Sequence, residues 1–175
     1  MMATRHAKVA LLGAATLFFL TVVLNNAVLD YRSNYEFVRH VLSMDSVFSG
    51  TAQVWRALPD PTPADNTYWL HHAFYWSIIA WEAAAGILCG MGAWRLWSLR
   101  KAPAAEFQKA KTLAVYGLSL TLLQWLTAFL TVGAEWFLMW QSRTWNGQDA
   151  ASRMCLIFGI ILIFVSMRDD EVETD

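Results

Sequence analysis

YWLHHAFYWSIIAWEAAAGILCG, residues 68–90, decides the fold. The stretch is long enough to cross a bilayer, because about 20 apolar residues in a helix span the roughly 30 Å of hydrocarbon. Its apolar residues do not alternate, and only helices and closed barrels satisfy their backbone groups in lipid, so it reads as a helix. Yet Glu82 stands near its middle, and His71 and His72 stand near its start.

Three more runs share this character. They cover residues 9–29, 113–140 and 150–167, and the run quoted above continues to residue 94. Hydrophobic residues make up 57% of the 175-residue chain, with the charges gathered between the runs. The expected fold is therefore all-α: a single polytopic membrane domain with four transmembrane helices in a bundle. An outer loop (30–67), an inner loop (95–112), an outer turn (141–149) and an acidic tail (168–175) complete it. The first run has a longer apolar core than a signal peptide and lacks a clean cleavage site, so it is expected to remain in the protein.

Charge sets the expected orientation. Arg5 and Lys8 precede the first helix, and Arg95, Arg100, Lys101, Lys109 and Lys111 lie between the second and third. By the positive-inside rule both segments are cytoplasmic, which puts both termini inside and the 30–67 loop outside. The net charge of −1 gives no sign of nucleic-acid binding. Within the outer loop, the spacing of Tyr35, Val38, Val41 and Leu42 predicts one short helix, and GTAQVWRAL (50–58) a second. Tryptophans at 69, 94, 97, 136 and 140 read as interfacial belts.

Polar residues inside the spans are the candidate functional groups. His71 and Glu82 are eleven residues apart, almost three helical turns, and so share a face. Gln124 and Glu135 repeat that spacing on the third span. Depth then predicts a middle layer of Glu82 and Gln124 and an outer layer of His71, Glu135, Asn25 or Asn26, and Arg153. Glu135 is expected to pair with Arg153 or His71. Glu82, with no counter-charge at its depth, is expected to be neutral, since a charge at the bilayer centre costs at least about 2.5–3.5 kcal/mol. Gly86 and Gly90 form a G-x-x-x-G pair suited to close helix packing.

His40, Asp45 and His71 are the one candidate metal set, at the outer face. Bis-histidine haem is not expected, because no second span carries a histidine. No cofactor is predicted. Cys89 and Cys155 read as inert thiols. No phosphate loop, nucleophile elbow or zinc-protease motif occurs, so an embedded enzyme is the least favoured reading.

Two outer segments, SNYEFVRHVLSMDSVF (33–48) and AEWFLMWQSRTWNGQDAASR (134–153), resemble a bacterial family of predicted small integral membrane proteins of unknown function. The resemblance covers nearly the whole chain. It implies an inner-membrane location and supplies no activity, cofactor or catalytic residue. Two functions follow as expectations. One is a non-catalytic accessory or assembly subunit of a larger membrane complex. The other is a binder or carrier of a small ligand, metal or proton, with a buried site at Glu82 opening outward past His71 and Glu135. The partners expected are the lipid bilayer and other membrane subunits, with oligomeric state open.

Overall fold

The computed structural model describes residues 2–59 and 68–171, and these contain helices and no strand. Helix α1 (Met2–Leu24) runs into a π-helical turn, Asn25–Leu29, closed by the Asp30 N–H on the Asn25 carbonyl at 2.9 Å. Helix α2 (Tyr31–Ser43) and a 3₁₀ turn (Ala52–Arg56) occupy the loop that follows. Helix α3 covers Tyr68–Ser98 and α4 Ala104–Ala110. Helix α5 (Thr112–Gln124) continues as a twelve-residue π-helix, Trp125–Trp136. A 3₁₀ turn (Met139–Gln141) and α6 (Gln148–Ser166) follow.

Four of these stretches are long and apolar enough to cross a membrane: Met2–Leu29, Trp69–Ser98, Ala104–Trp136 and Gln148–Ser166. The protein is a polytopic helical membrane protein. The stretch taken as inner loop is itself partly helical, since α3 runs on to Ser98 and α4 fills much of the remainder. The segment around Asp65 and Thr67, expected to cap α3, lies outside the described residues.

The spans hold their hydroxyls by returning them to their own backbone, which removes a donor from lipid. Thr16 donates to the Leu12 carbonyl at 2.8 Å, and Thr121 to the Gly117 carbonyl at 2.9 Å. In the π-helix the same device shifts by one residue: Thr131 donates to the Leu126 carbonyl, five residues back, at 2.8 Å. The ladder ends where the Phe137 N–H meets the Val132 carbonyl at 3.0 Å and Leu138 adopts a left-handed φ of 54°.

The chain divides into two compact units. The first holds Met1–Val22, Glu82–Leu122 and Leu156–Asp175. Glycine sets its tightest contacts: a Cβ on Gly86 would meet Phe19 Cβ at 2.7 Å, one on Gly92 the Ala114 nitrogen at 2.7 Å, and one on Gly117 the Cys89 nitrogen at 2.8 Å. Gly90 faces Thr16 Cγ2 at a looser 3.1 Å. Close backbone approach thus extends beyond the pair legible as G-x-x-x-G.

The second unit holds Val23–Trp81 and Leu123–Cys155. Here α2 buries Val41 and Leu42 against Ala134, Phe137 and Met139, while Tyr35 packs with Tyr75 and Ile79. The 30–59 loop is also tied to the 141–149 turn. Ser46 donates to Ser142 at 2.9 Å, His40 stacks on Trp145 at 4.3 Å, and Gly147 leaves room for the Phe37 ring. Asn146 accepts the Gln148 N–H at 3.0 Å at the start of α6.

Candidate functional site

A cavity of about 200 Å³ lies within the second unit. Helix α2 contributes Phe37, Val38 and Val41, α3 contributes Phe74, Ser77 and Trp81, and the π-helix contributes Thr127, Ala128 and Val132. Its polar side chains are hydroxyls, and Ser77 already donates to the Phe74 carbonyl at 2.7 Å. Phe74, Ser77 and Thr127 are exposed, so the cavity reaches the surface of the unit between α3 and the π-helix. The volume exceeds the roughly 150 Å³ hole that takes up benzene and falls below the roughly 300 Å³ where drug-sized pockets begin.

One turn from this cavity stands Gln124. It is the last residue of α5 and is not among the residues that line the cavity. Gln124 is 0% exposed, and neither its amide oxygen nor its amide nitrogen has a hydrogen-bond partner. The indole N–H of Trp125, at the junction between α5 and the π-helix, is also buried and unpartnered. An unpaired buried polar group costs about 1–3 kcal/mol, so such groups ask for an explanation.

The remaining candidates are distributed as follows. On α3, where the ladder is regular, His71 (0% exposed), Tyr75, Glu82 (3%) and Gly86 are all buried. Glu82 belongs to the first unit, and Gln124 to the second. Glu135 is exposed and does not share the buried face of Gln124. An i→i+5 ladder takes about one more residue per turn, so eleven residues no longer make three turns. Glu135 therefore forms no ion pair with Arg153 or His71 among the described residues. Arg153 is exposed and turns its Nε back to the Asp149 carbonyl at 3.3 Å. His71 Nε2 lies 3.0 Å from the Pro59 carbonyl, which can only accept. Asn25 is exposed and uses its backbone carbonyl to close the π-turn of the first span.

The expected metal set does not assemble either. His40 Nδ1 meets Asp45 Oδ2 at 2.6 Å, but His71 commits Nε2 as a donor to Pro59. No three of the described His, Cys, Asp and Glu residues are placed to hold one ion. Cys89 and Cys155 are free thiols.

The first unit contains a charged cluster that spacing alone does not announce. Arg5 and Lys8 are 0% exposed and Lys111 is 2%. Asp169 Oδ2 accepts from Lys8 at 2.7 Å and also from Lys111. Both ammonium groups donate to the Met167 carbonyl just beyond α6, at 2.7 and 2.6 Å. Arg5 donates to the carbonyls of Arg100 and Ala102, just beyond α3, at 3.0 and 2.6 Å. These cations neutralise the negative ends of two helix dipoles, which is why an excess of positive charge can be buried there. Burial opposes ionisation of Asp169, but the hydrogen bonds and charges of Lys111 and Lys8 outweigh it and hold its pKa below the usual carboxylate value. The signal was present in the sequence as basic helix starts and an acidic tail predicted to lie on one side of the membrane.

No curated relative and no solved structure matches the chain. A family model described as "Predicted small integral membrane protein" matches residues 4–168, almost the entire chain, and the protein belongs to that family.

Proposed function

We propose that the protein is a membrane-embedded binding protein that takes the end of one apolar chain from the bilayer into the cavity between α3 and the π-helix. The cavity carries this reading. Left empty, this apolar space would leave its lining without packing partners on one side. The surface on which it opens meets lipid once the four spans are inserted, so an occupant is supplied at high local concentration. The function assigned is binding rather than catalysis, because the lining offers only the hydroxyls of Ser77 and Thr127. The reading sets the outward path past His71 and Glu135 aside in favour of a lateral one. It also places the protein in a bacterial inner membrane with both termini cytoplasmic, following the basic residues at the inner helix ends.

A second reading, an accessory subunit of a larger complex, is favoured by the exposed aromatic surface of the second unit. Phe48 packs on Trp140 and Trp55 on Trp136, all four at least 44% exposed. Such rings serve equally as interfacial anchors.

The test uses a dibrominated octadecane, a head-less chain whose bromines quench indole fluorescence. Wild-type protein in detergent is expected to lose more emission on adding it than Trp81→Phe or the cavity-filling Ala128→Phe does. Equal quenching in all three proteins would overturn the binding reading.

A further inference from the structure

A recess of about 310 Å³ lies within the first unit. Gln108 of α4, then Lys111, then Thr112, Val115 and Tyr116 of α5, and Ser166 at the end of α6 line it. We infer that this recess holds the phosphate of a phospholipid whose headgroup carries no positive charge, in the leaflet at this end of the spans.

Charge is the first reason. Arg5, Lys8 and Lys111 are three buried cations, and Asp169 is the one carboxylate paired with them. The carbonyl ends of α3 and α6 offset part of the excess, at about half a charge each, and roughly one positive charge remains. The exposed charges on α4 and the tail, Glu106, Lys109, Arg168, Asp170 and Glu171, are screened by water and ions, whereas the buried set is screened much less. Lys111 brings that charge to the wall of the recess. Its ammonium is committed to Gln108, the Met167 carbonyl and Asp169, so it attracts an anion through its field rather than by contact.

The hydrogen-bond donors are the second reason. Gln108 accepts from Lys111 through Oε1 at 2.8 Å, which leaves its amide N–H groups to donate. The hydroxyls of Tyr116 and Ser166 have no partner among the described residues, and both residues are exposed. The oxygens of an ionised phosphodiester only accept, so they match an amide and two hydroxyls. No carboxylate lines the recess, so a choline or ethanolamine ammonium finds no counter-charge there, whereas the phosphate does. Depth agrees with this occupant. Ser166 ends the span Gln148–Ser166, and Gln108 and Tyr116 lie in the opening turns of the span Ala104–Trp136, the level at which headgroups meet apolar helices.

The experiment titrates the protein in detergent with phosphatidylglycerol or phosphatidylcholine of identical chains and counts the lipids retained by native mass spectrometry. Phosphatidylglycerol is expected to bind at about tenfold lower concentration. The double variant Tyr116→Phe/Ser166→Ala changes no charge and no buried residue, and is expected to lose that preference, since two hydrogen bonds to a charged group are worth at least about tenfold. Ala128→Phe, which alters only the cavity of the second unit, is expected to keep it. Inorganic phosphate at the same concentrations is expected to release no lipid. Equal retention of the two lipids, a preference kept by the double variant, or a preference lost in Ala128→Phe would overturn the inference. Release of phosphatidylglycerol by inorganic phosphate would also overturn it, by showing a site for a free anion.

Discussion

Replacing Asp169 by asparagine should destabilise the protein more than any other single change in its charged tail. Its carboxylate is 3% exposed and one oxygen, Oδ2, serves both Lys8 and Lys111. At 2.7 Å and an effective dielectric of about 20, the attraction to Lys8 alone is about 6 kcal/mol before desolvation is subtracted. The net cost of removing one partner from a buried ionic set is about 3–5 kcal/mol, because the other charges stay buried. In Asp169→Asn two ammonium groups face each other with no counter-charge between them. For a chain of this size that is a fall in Tm of roughly 6–20 °C, read by thermal unfolding in lipid nanodiscs. Asp170→Asn is the control, since Asp170 enters the cluster through its carbonyl, which accepts from Arg5 at 3.0 Å. Lys111→Met should recover part of the loss in the Asp169→Asn background. The cluster also predicts a pH window. The pKa of Asp169 is lowered in the folded state, so its contribution is present above the unfolded carboxylate value of about 4 and is lost as pH falls through the lower folded value. Asp169→Asn should lack that acid step. A Tm within 2 °C of wild type, or an unchanged acid limb in the variant, would refute the buried-clasp account.

Two further outcomes follow from packing and polarity. Gly117→Ala places a methyl 2.8 Å from the Cys89 backbone nitrogen and should cost about 1–3 kcal/mol, whereas Gly13→Ala meets nothing within 4 Å and should be neutral or gain up to about 1 kcal/mol, both read by the same unfolding assay. Gln124→Leu should raise the Tm of ligand-free protein, because it removes an unpaired buried amide worth about 1–3 kcal/mol; a lower Tm would mean the amide is partnered.

The sequence reveals most where the helical ladder is regular. In the apolar runs, length and composition alone decide four spans and an all-helical fold. On α3 the 3.6-residue period puts His71 and Glu82 on one side, and the structure buries both. The same arithmetic fails on the third span, because Trp125–Trp136 is a π-helix and its wider turn carries Glu135 to the surface. Nothing in its composition marks that change of period, so the cavity it borders was not legible either. The charged cluster was missed for a different reason. In sequence, Arg5, Lys8 and Lys111 read as residues that orient the chain in the membrane, and the acidic tail has no evident partner. Tertiary contact turns both into one buried group. The His40–Asp45 pair shows the converse: adjacency in a loop brought two candidate ligands together, but the third, His71, is held by a backbone carbonyl.

The measurement that bears most directly on the central claim is native mass spectrometry of the protein released from nanodiscs of its own membrane, alongside Ala128→Phe. The account predicts that wild type carries one bound apolar-chain molecule in the cavity, and that Ala128→Phe carries none there. Wild-type protein with no such adduct, or the same adduct on Ala128→Phe, would contradict it.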